Sequence, residues 1–353
     1  MDFQLSDDQR ALRSGMRDLL GAVFDRGRLR AAVERDGALD RSLWRELGAA
    51  GFFALRLPEE AGGVGLGLPE AVLLFEEAGR ALLPGPLVAT HLAAGLVKGA
   101  AEGEAVVTAV AADLPAAHLA EADAVLVVDG QAPPGLPGDV LSGDVSGAEV
   151  LSGEALGAFV AAARPVRSVD PLTPLHRLAG RAVPTGAPQA YSGALHYEAA
   201  LLTAAEQLGS AARTTEAAVQ HAGERHQFGS PIGSFQAVKH LCADMLARTE
   251  PARAAVYAAA VTGDPAEIAA AKLLADEAAV RNARDCLQIH GGMGFTWEAD
   301  VHLHLKRAWL RAASWLTVAR AEELLAADLG AAGRLPRSSA AYGRPVPEAG
   351  GGG

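Results

Sequence analysis

From about Gly193 to Leu329 apolar residues recur at helical spacing almost without a break. Helices of that length carry apolar stripes that only other helices can cover, so this part of the chain must form a bundle. The first helix runs to about Ala222 and is followed by the loop GERHQFGSPIG. Ser234 opens a second, with Phe235, Val238, Leu241, Cys242 and Met245 on one face. Asp264, Pro265 and Glu267 supply an N-cap, a first-turn proline and a capping-box acid for a third, which ends at Gly291-Gly292. A fourth is expected over about Ala299 to Leu329, ahead of a mobile Gly/Pro/Ser-rich tail from Gly330 to Gly353.

The chain has 353 residues, more than the ~250–300 at which one core stops growing, so several domains are expected. In the first hundred residues Ser6 and Gln9 have capping-box spacing ahead of a stripe of Leu12, Met16, Leu19, Leu20 and Val23. Asp40 caps a short helix stopped by Gly51, and Pro69 begins another that reaches about Leu82. The Gly-rich segment LPEEAGGVGLG between them lacks the Lys-Ser/Thr ending and preceding strand of a phosphate cradle, and reads as a loop. Between about Ala105 and Thr185 the texture changes to short β-prone pieces, AVVTAVA, AVLVVD and FVAAARPVRSV. The expected fold is mainly α with a small β domain: an N-terminal helical domain over 1–104, a middle β domain over 105–190, a four-helix bundle over 191–329 and the tail over 330–353.

Half the residues are hydrophobic and 21% are charged, which excludes a disordered or fibrous chain. Pro84, Pro86 and nearby glycines break the longest apolar stretch below the ~18 residues a membrane span needs. The start MDFQLSDDQR is acidic where a secretory signal is basic, so a cytoplasmic protein is expected. A net charge of −11 repels phosphates and argues against a nucleic-acid partner. Cys242 and Cys286 lie in apolar helical patterns without metal-ligand spacing and are expected to be buried structural thiols. His302 and His304 point to different helix faces, so no metal site is expected.

Two segments carry more specific information. RHQFGSPIGSFQAVKHLCADM, from Arg225 to Met245, and LQIHGGMGFTWEADVHLHLKRA, from Leu287 to Ala308, resemble the two signature regions of the acyl-CoA dehydrogenase family. LSDDQRALR and WRELGAAGFFALRLPEEAGG extend the resemblance over nearly the whole chain except the tail. It implies FAD as cofactor. Arg225, Gln227, Phe228 and Gln236 match the loop and helix that hold FAD, and Gln288, Ile289, His290, Gly291 and Gly292 match the segment on its diphosphate and adenosine end. The chemistry agrees, since a guanidinium fork suits a diphosphate and paired glycines admit close backbone approach. Taken alone, Arg225 would read as a solvated loop charge and Gly291-Gly292 as a helix C-cap.

The resemblance also implies an acyl-CoA substrate of the fatty-acid or steroid side-chain kind, an electron-accepting flavoprotein and α,β-desaturation of the thioester with a glutamate as base. Here the usual base position holds Trp315. The family's second placement, on the first bundle helix, falls on Ala199, with Glu198 one residue, or about 100°, away. Nor does the middle region carry the Thr-Glu-Pro-type loop or Trp-x-Thr-Asn-type strand of members that bind flavin alone. In these departures the chain resembles the base-deficient subunit of hetero-oligomeric, actinobacterial-type members. A tetramer-like assembly with a homologous chain is expected. Two alternatives stay open: a self-sufficient dehydrogenase using Glu198, or a flavin-free structural or binding subunit on the same fold.

Overall fold

The computed structural model describes residues 4–110, 115–128, 149–178 and 189–331; the expected mobile tail, apart from its first two residues, lies outside them. Among them, α1 (Asp7–Val23) starts at Ser6 in the capping box the sequence announces, and α3 (Arg41–Ala49) starts at Asp40, whose carboxylate accepts from the backbone of Ser42 and Leu43. Between these lies α2 (Arg26–Glu34), capped by Asp25, which was not expected. α4 (Leu68–Arg80) and the short α5 (Leu87–Leu92) complete the N-terminal helices. Trp44, Phe53, Phe52 and Phe75 pack beneath them in that order with successive ring centroids 4.8, 5.4 and 5.1 Å apart, all four buried.

The middle region forms two three-stranded sheets. β1 (Val107–Val110) pairs in parallel with β3 (Ala124–Val127), which pairs antiparallel with β4 (Glu149–Ser152). In the second sheet β6 (Leu175–Leu178) lies between β2 (Ala116–Ala117) and β5 (Ala163–Val166), antiparallel to both. The expectation of strand from Phe159 is corrected: Gly153–Ala162 is a helix, α6, which buries Leu156 and Phe159. Its alanines favour helix, and those two residues, three apart, share one face.

The bundle is built on α7 (Gln189–Glu224), about 54 Å long at 1.5 Å per residue. Helix α8 (Gln236–Thr262) and α9 (Pro265–His290) pack against it, and Asp264 caps α9 by accepting from Ala266 and Glu267. The expected single fourth helix is two, α10 (Val301–Ala312) and α11 (Val318–Ala331), which makes five bundle helices among the described residues. The break has a local cause. The Ser314 hydroxyl donates to the Leu310 carbonyl, Trp315 stands at φ 61°, and the Thr317 hydroxyl accepts from the Arg320 N–H as a fresh N-cap.

Buried polar groups fix how these parts meet. Asn282 on α9 donates to Thr215 of α7 and to the Met245 carbonyl and Thr249 of α8, and accepts from Arg248. Arg307 on α10 pairs with Asp170 of the middle region and donates to the Leu83 carbonyl beyond α4, joining all three parts at one guanidinium. Helices α4 and α7 cross at glycines: a Cβ on Gly209 would lie 1.8 Å from the Glu76 carbonyl oxygen, and one on Gly79 would lie 2.0 Å from that of Glu206. Cys286 is buried and its thiol is pushed up to about 12 by burial, whereas Cys242 is only partly covered, a correction to its expected burial. No described helix is long and apolar enough to cross a membrane.

Candidate active cleft and nucleotide face

The two motif segments come together at one end of the bundle. Ile232, Leu287 and Ile289 share a small core with Met245 and Cys286, and His290 stacks on His221 of α7 with ring centroids 4.1 Å apart. From this core the intervening residues project outward. β7 (His226–Gln227) and β8 (Ser230–Pro231) form a hairpin whose turn is Phe228-Gly229, with φ 51° and 80°. A left-handed phenylalanine is costly, and this one is 92% exposed with its ring edge-on to Phe235. Strained backbone of this kind clusters at ligand-binding and switch segments.

Arg225, Gln227, Gln236 and Gln288 are also exposed, and the Arg225 side chain makes no hydrogen bond or ion pair among the described residues. Gly291 has φ 60° and ψ −142°, a backbone state that glycine alone adopts readily, and a Cβ there or on Gly292 would meet nothing within 4 Å. The Ile289 side chain is turned into the core, so only its backbone faces a ligand, and His290 Nδ1 is engaged with the Cys286 carbonyl at 2.8 Å. A guanidinium, three amides, open glycine backbone and exposed aromatic rings fit the phosphates and base of a dinucleotide such as FAD. They form an open face rather than an enclosed pocket.

A separate cleft of about 320 Å³ lies where the middle region meets the bundle. Its walls include Ala117 and His118 from the middle region, Thr203 and Glu206 from α7, and Arg311 and Trp315 from α10 and the turn after it. Trp315, the residue on which the family resemblance would place the base, faces this cleft with an indole that cannot accept a carbon-bound proton. His118 is held at φ 54° with Nδ1 3.2 Å from Glu121, and burial draws its pKa down against that carboxylate.

Glu198 does not line the cleft. Its carboxylate is buried in an ion pair with Arg56, and burial holds its pKa above the ordinary range against the pull of that guanidinium. A carboxyl raised in this way favours folding below its unfolded pKa, and that contribution is lost as pH rises through the folded value. Arg56 offsets the loss, so Arg56→Leu, which strands the charge, is expected to cost about 3 kcal/mol near neutral pH. Calorimetric melting should show a larger drop in Tm at pH 8 than at pH 5, and an equal drop at both would contradict this account.

Sequence reading overlooked Glu206. It lies seven residues beyond Ala199, two helical turns on and within about 20° of the same face, so the spacing itself held the signal. It is 6% exposed, and its Oε1 accepts from Arg311 Nη2 at 2.6 Å. Burial raises the Glu206 pKa against Arg311, and lowers that of Arg311 to about 10.

Comparison with known proteins agrees with this arrangement. Residues 6–102 match the family described as acyl-CoA dehydrogenase, N-terminal domain, and residues 186–316 match acyl-CoA dehydrogenase, C-terminal domain. The chain is 37% identical over 310 residues to acyl-CoA dehydrogenase IpdE2 of Mycobacterium tuberculosis, covering 86% of this chain and 91% of that one. Among solved structures it resembles PigA with FAD and proline, at a TM-score of 0.76, 20% identity and coverage of 94% and 99%. It also resembles the ChsE4-ChsE5 complex from Mycobacterium tuberculosis, at a TM-score of 0.74, 22% identity and coverage of 95% and 100%. With both terminal domains matched and a relative of this identity spanning most of its length, the chain belongs to the acyl-CoA dehydrogenase family.

Proposed function

We propose that this chain is one subunit of a FAD-dependent acyl-CoA dehydrogenase that acts with a homologous second chain. The observation that carries the reading is the cleft: Trp315 occupies the base position, and Glu198 is locked to Arg56 outside the cleft. Bound FAD supplies the acceptor for hydride from Cβ of the thioester. This chain's share is to hold the cofactor's phosphates at Arg225, with Gln227, Gln236, Gln288 and the backbone of Gly291 and Gly292 beside it, and to wall off the acyl group. The partner supplies the carboxylate that takes the α-proton. The outward Phe228, Phe235, Phe295 and Trp297 near the nucleotide face support such an assembly, as does the heteromeric character of one of its structural relatives. Electrons leave to a flavoprotein acceptor.

Co-expression with a homologous, glutamate-bearing chain tests the reading. The purified complex should be larger than a monomer by light scattering, carry flavin absorbance and bleach on addition of acyl-CoA thioesters. A flavin-loaded monomer that bleaches unaided would refute it. Within the complex Arg225→Ala should weaken FAD retention at least about tenfold, the worth of one charge-assisted contact. Unchanged 450 nm absorbance per complex would remove Arg225 from the site.

A further inference from the structure

Two guanidiniums in the wall of the cleft between the middle region and the bundle each keep an unmatched donor. Arg307 is 5% exposed; its Nε pairs with Asp170 and its Nη1 donates to the Leu83 carbonyl, but its buried Nη2 meets no acceptor among the described residues. Arg311 is 6% exposed; its Nη2 donates to Glu206 Oε1, while its buried Nη1 likewise meets none. Four residues apart on α10, the two side chains share one helical face. From α7 the cleft receives Thr203, 2% exposed, whose hydroxyl makes no hydrogen bond among the described residues. A buried charged donor without an acceptor is penalised more heavily than a matched one is rewarded, and native structures keep few such groups.

Two cationic donors and a hydroxyl in one cleft call for an acceptor that has two oxygens and a negative charge. A carboxylate has both, and its bonds to guanidinium are the strong, charge-assisted kind. The balance of charge agrees: among the described residues the charged lining is Arg307 and Arg311 against Glu206 alone, with Asp170 behind Arg307 and outside the lining. Leu87, Val88, Leu175 and Leu310 also face the space of about 320 Å³, which suits a short apolar body on that carboxylate. A thioester would bring an uncharged carbonyl and leave the cationic donors poorly matched. We propose that this cleft is a binding site for a small free monocarboxylate, held at Arg307 and Arg311, and not for a CoA thioester. The proposal stands apart from the flavin and from the dehydrogenase reading. Because Arg307 already ties the middle region to the bundle and to the chain beyond α4, a carboxylate on Nη2 completes that joint and tightens all three parts.

The test is calorimetric titration of the purified full-length protein with hexanoate, benzoate, hexanamide, benzamide and hexanoyl-CoA. At least one of the two acids is expected to bind with a Kd under about 1 mM and at least about tenfold more tightly than its amide, and to raise Tm in proportion to its occupancy. Thr203→Val, which removes an unpartnered hydroxyl and keeps the shape, should weaken the acid about tenfold. Glu206→Leu/Arg311→Met removes both members of an ion pair, so no charge is stranded, and should abolish both the binding and the rise in Tm. Failure of both acids to reach that affinity, equal affinity for acid and amide, or binding that survives the double variant overturns the proposal. Displacement of the bound acid by hexanoyl-CoA overturns it as well, since the cleft would then take the thioester. Each of these results leaves the dehydrogenase reading standing, because none depends on bound flavin or on turnover.

Discussion

Purified without a second chain and reconstituted with FAD, the protein is expected to bleach flavin about 10²–10⁴-fold more slowly under saturating acyl-CoA than the assembled complex does, the usual cost of lacking a positioned general base. The reasoning is geometric. An α-proton needs an acceptor within hydrogen-bond reach, yet Trp315 has no basic atom, the Glu198 carboxylate lies outside the cleft against Arg56, and Glu206, the carboxylate that does line the cleft, is held in an ion pair by Arg311. Glu198→Gln should therefore leave the residual rate of the isolated chain where it was. Stopped-flow absorbance decides the matter. Rapid bleaching by the isolated chain that Glu198→Gln abolishes would make Glu198 the base and the subunit self-sufficient.

The second large effect concerns the crossing of α4 and α7. Gly209→Val is expected to leave little folded protein at 37 °C. With the Glu76 carbonyl oxygen 1.8 Å from where a Cβ must go, the helices cannot keep their separation, and the contact is backbone, so no rotamer change relieves it. Moving α4 away would open the packing around fully buried Phe75 and Val72 and shift Glu206, whose carbonyl faces Gly79. A loss above about 4 kcal/mol follows from overpacking and broken core contacts together, against a total stability of roughly 5–15 kcal/mol. Gly15→Ala in α1 is the control: its Cβ would meet nothing within 4 Å, so the variant should gain up to about 1 kcal/mol from helix propensity. Urea unfolding of the two variants should move the midpoint in opposite directions, and a Gly209 variant of near-normal midpoint would contradict the crossing described.

Local chemistry was legible where one residue decides an outcome by itself. Ser6, Asp40 and Asp264 each announce a helix start, and each side chain accepts the backbone N–H that its position predicts. The turn at Ser314–Thr317 was not legible, because its hydroxyls are weak signals inside an otherwise continuous apolar period. α6 was misread for a related reason: Phe159 and Val160 favour strand, while the alanines around them leave the choice to packing. At the candidate site, a motif shows which residue types stand at Arg225 to Gln236 and Gln288 to Gly292, but not that Phe228 is forced into a left-handed turn or that Ile289 turns inward. The Glu206–Arg311 and Asp170–Arg307 pairs join residues more than a hundred positions apart, so only the assembled fold brings them together.

The α4–α7 crossing also bears on synthesis. α4 is complete at Arg80, but the face of α7 that covers it includes Glu206 and Gly209, roughly 130 residues later. At about 5–20 residues per second a ribosome takes roughly 7–25 s to deliver it. Throughout that interval the nascent N-terminal helices carry an uncovered apolar face, which makes the half-made chain a natural client for a holding chaperone, and slow codons after α4 a hazard rather than a help.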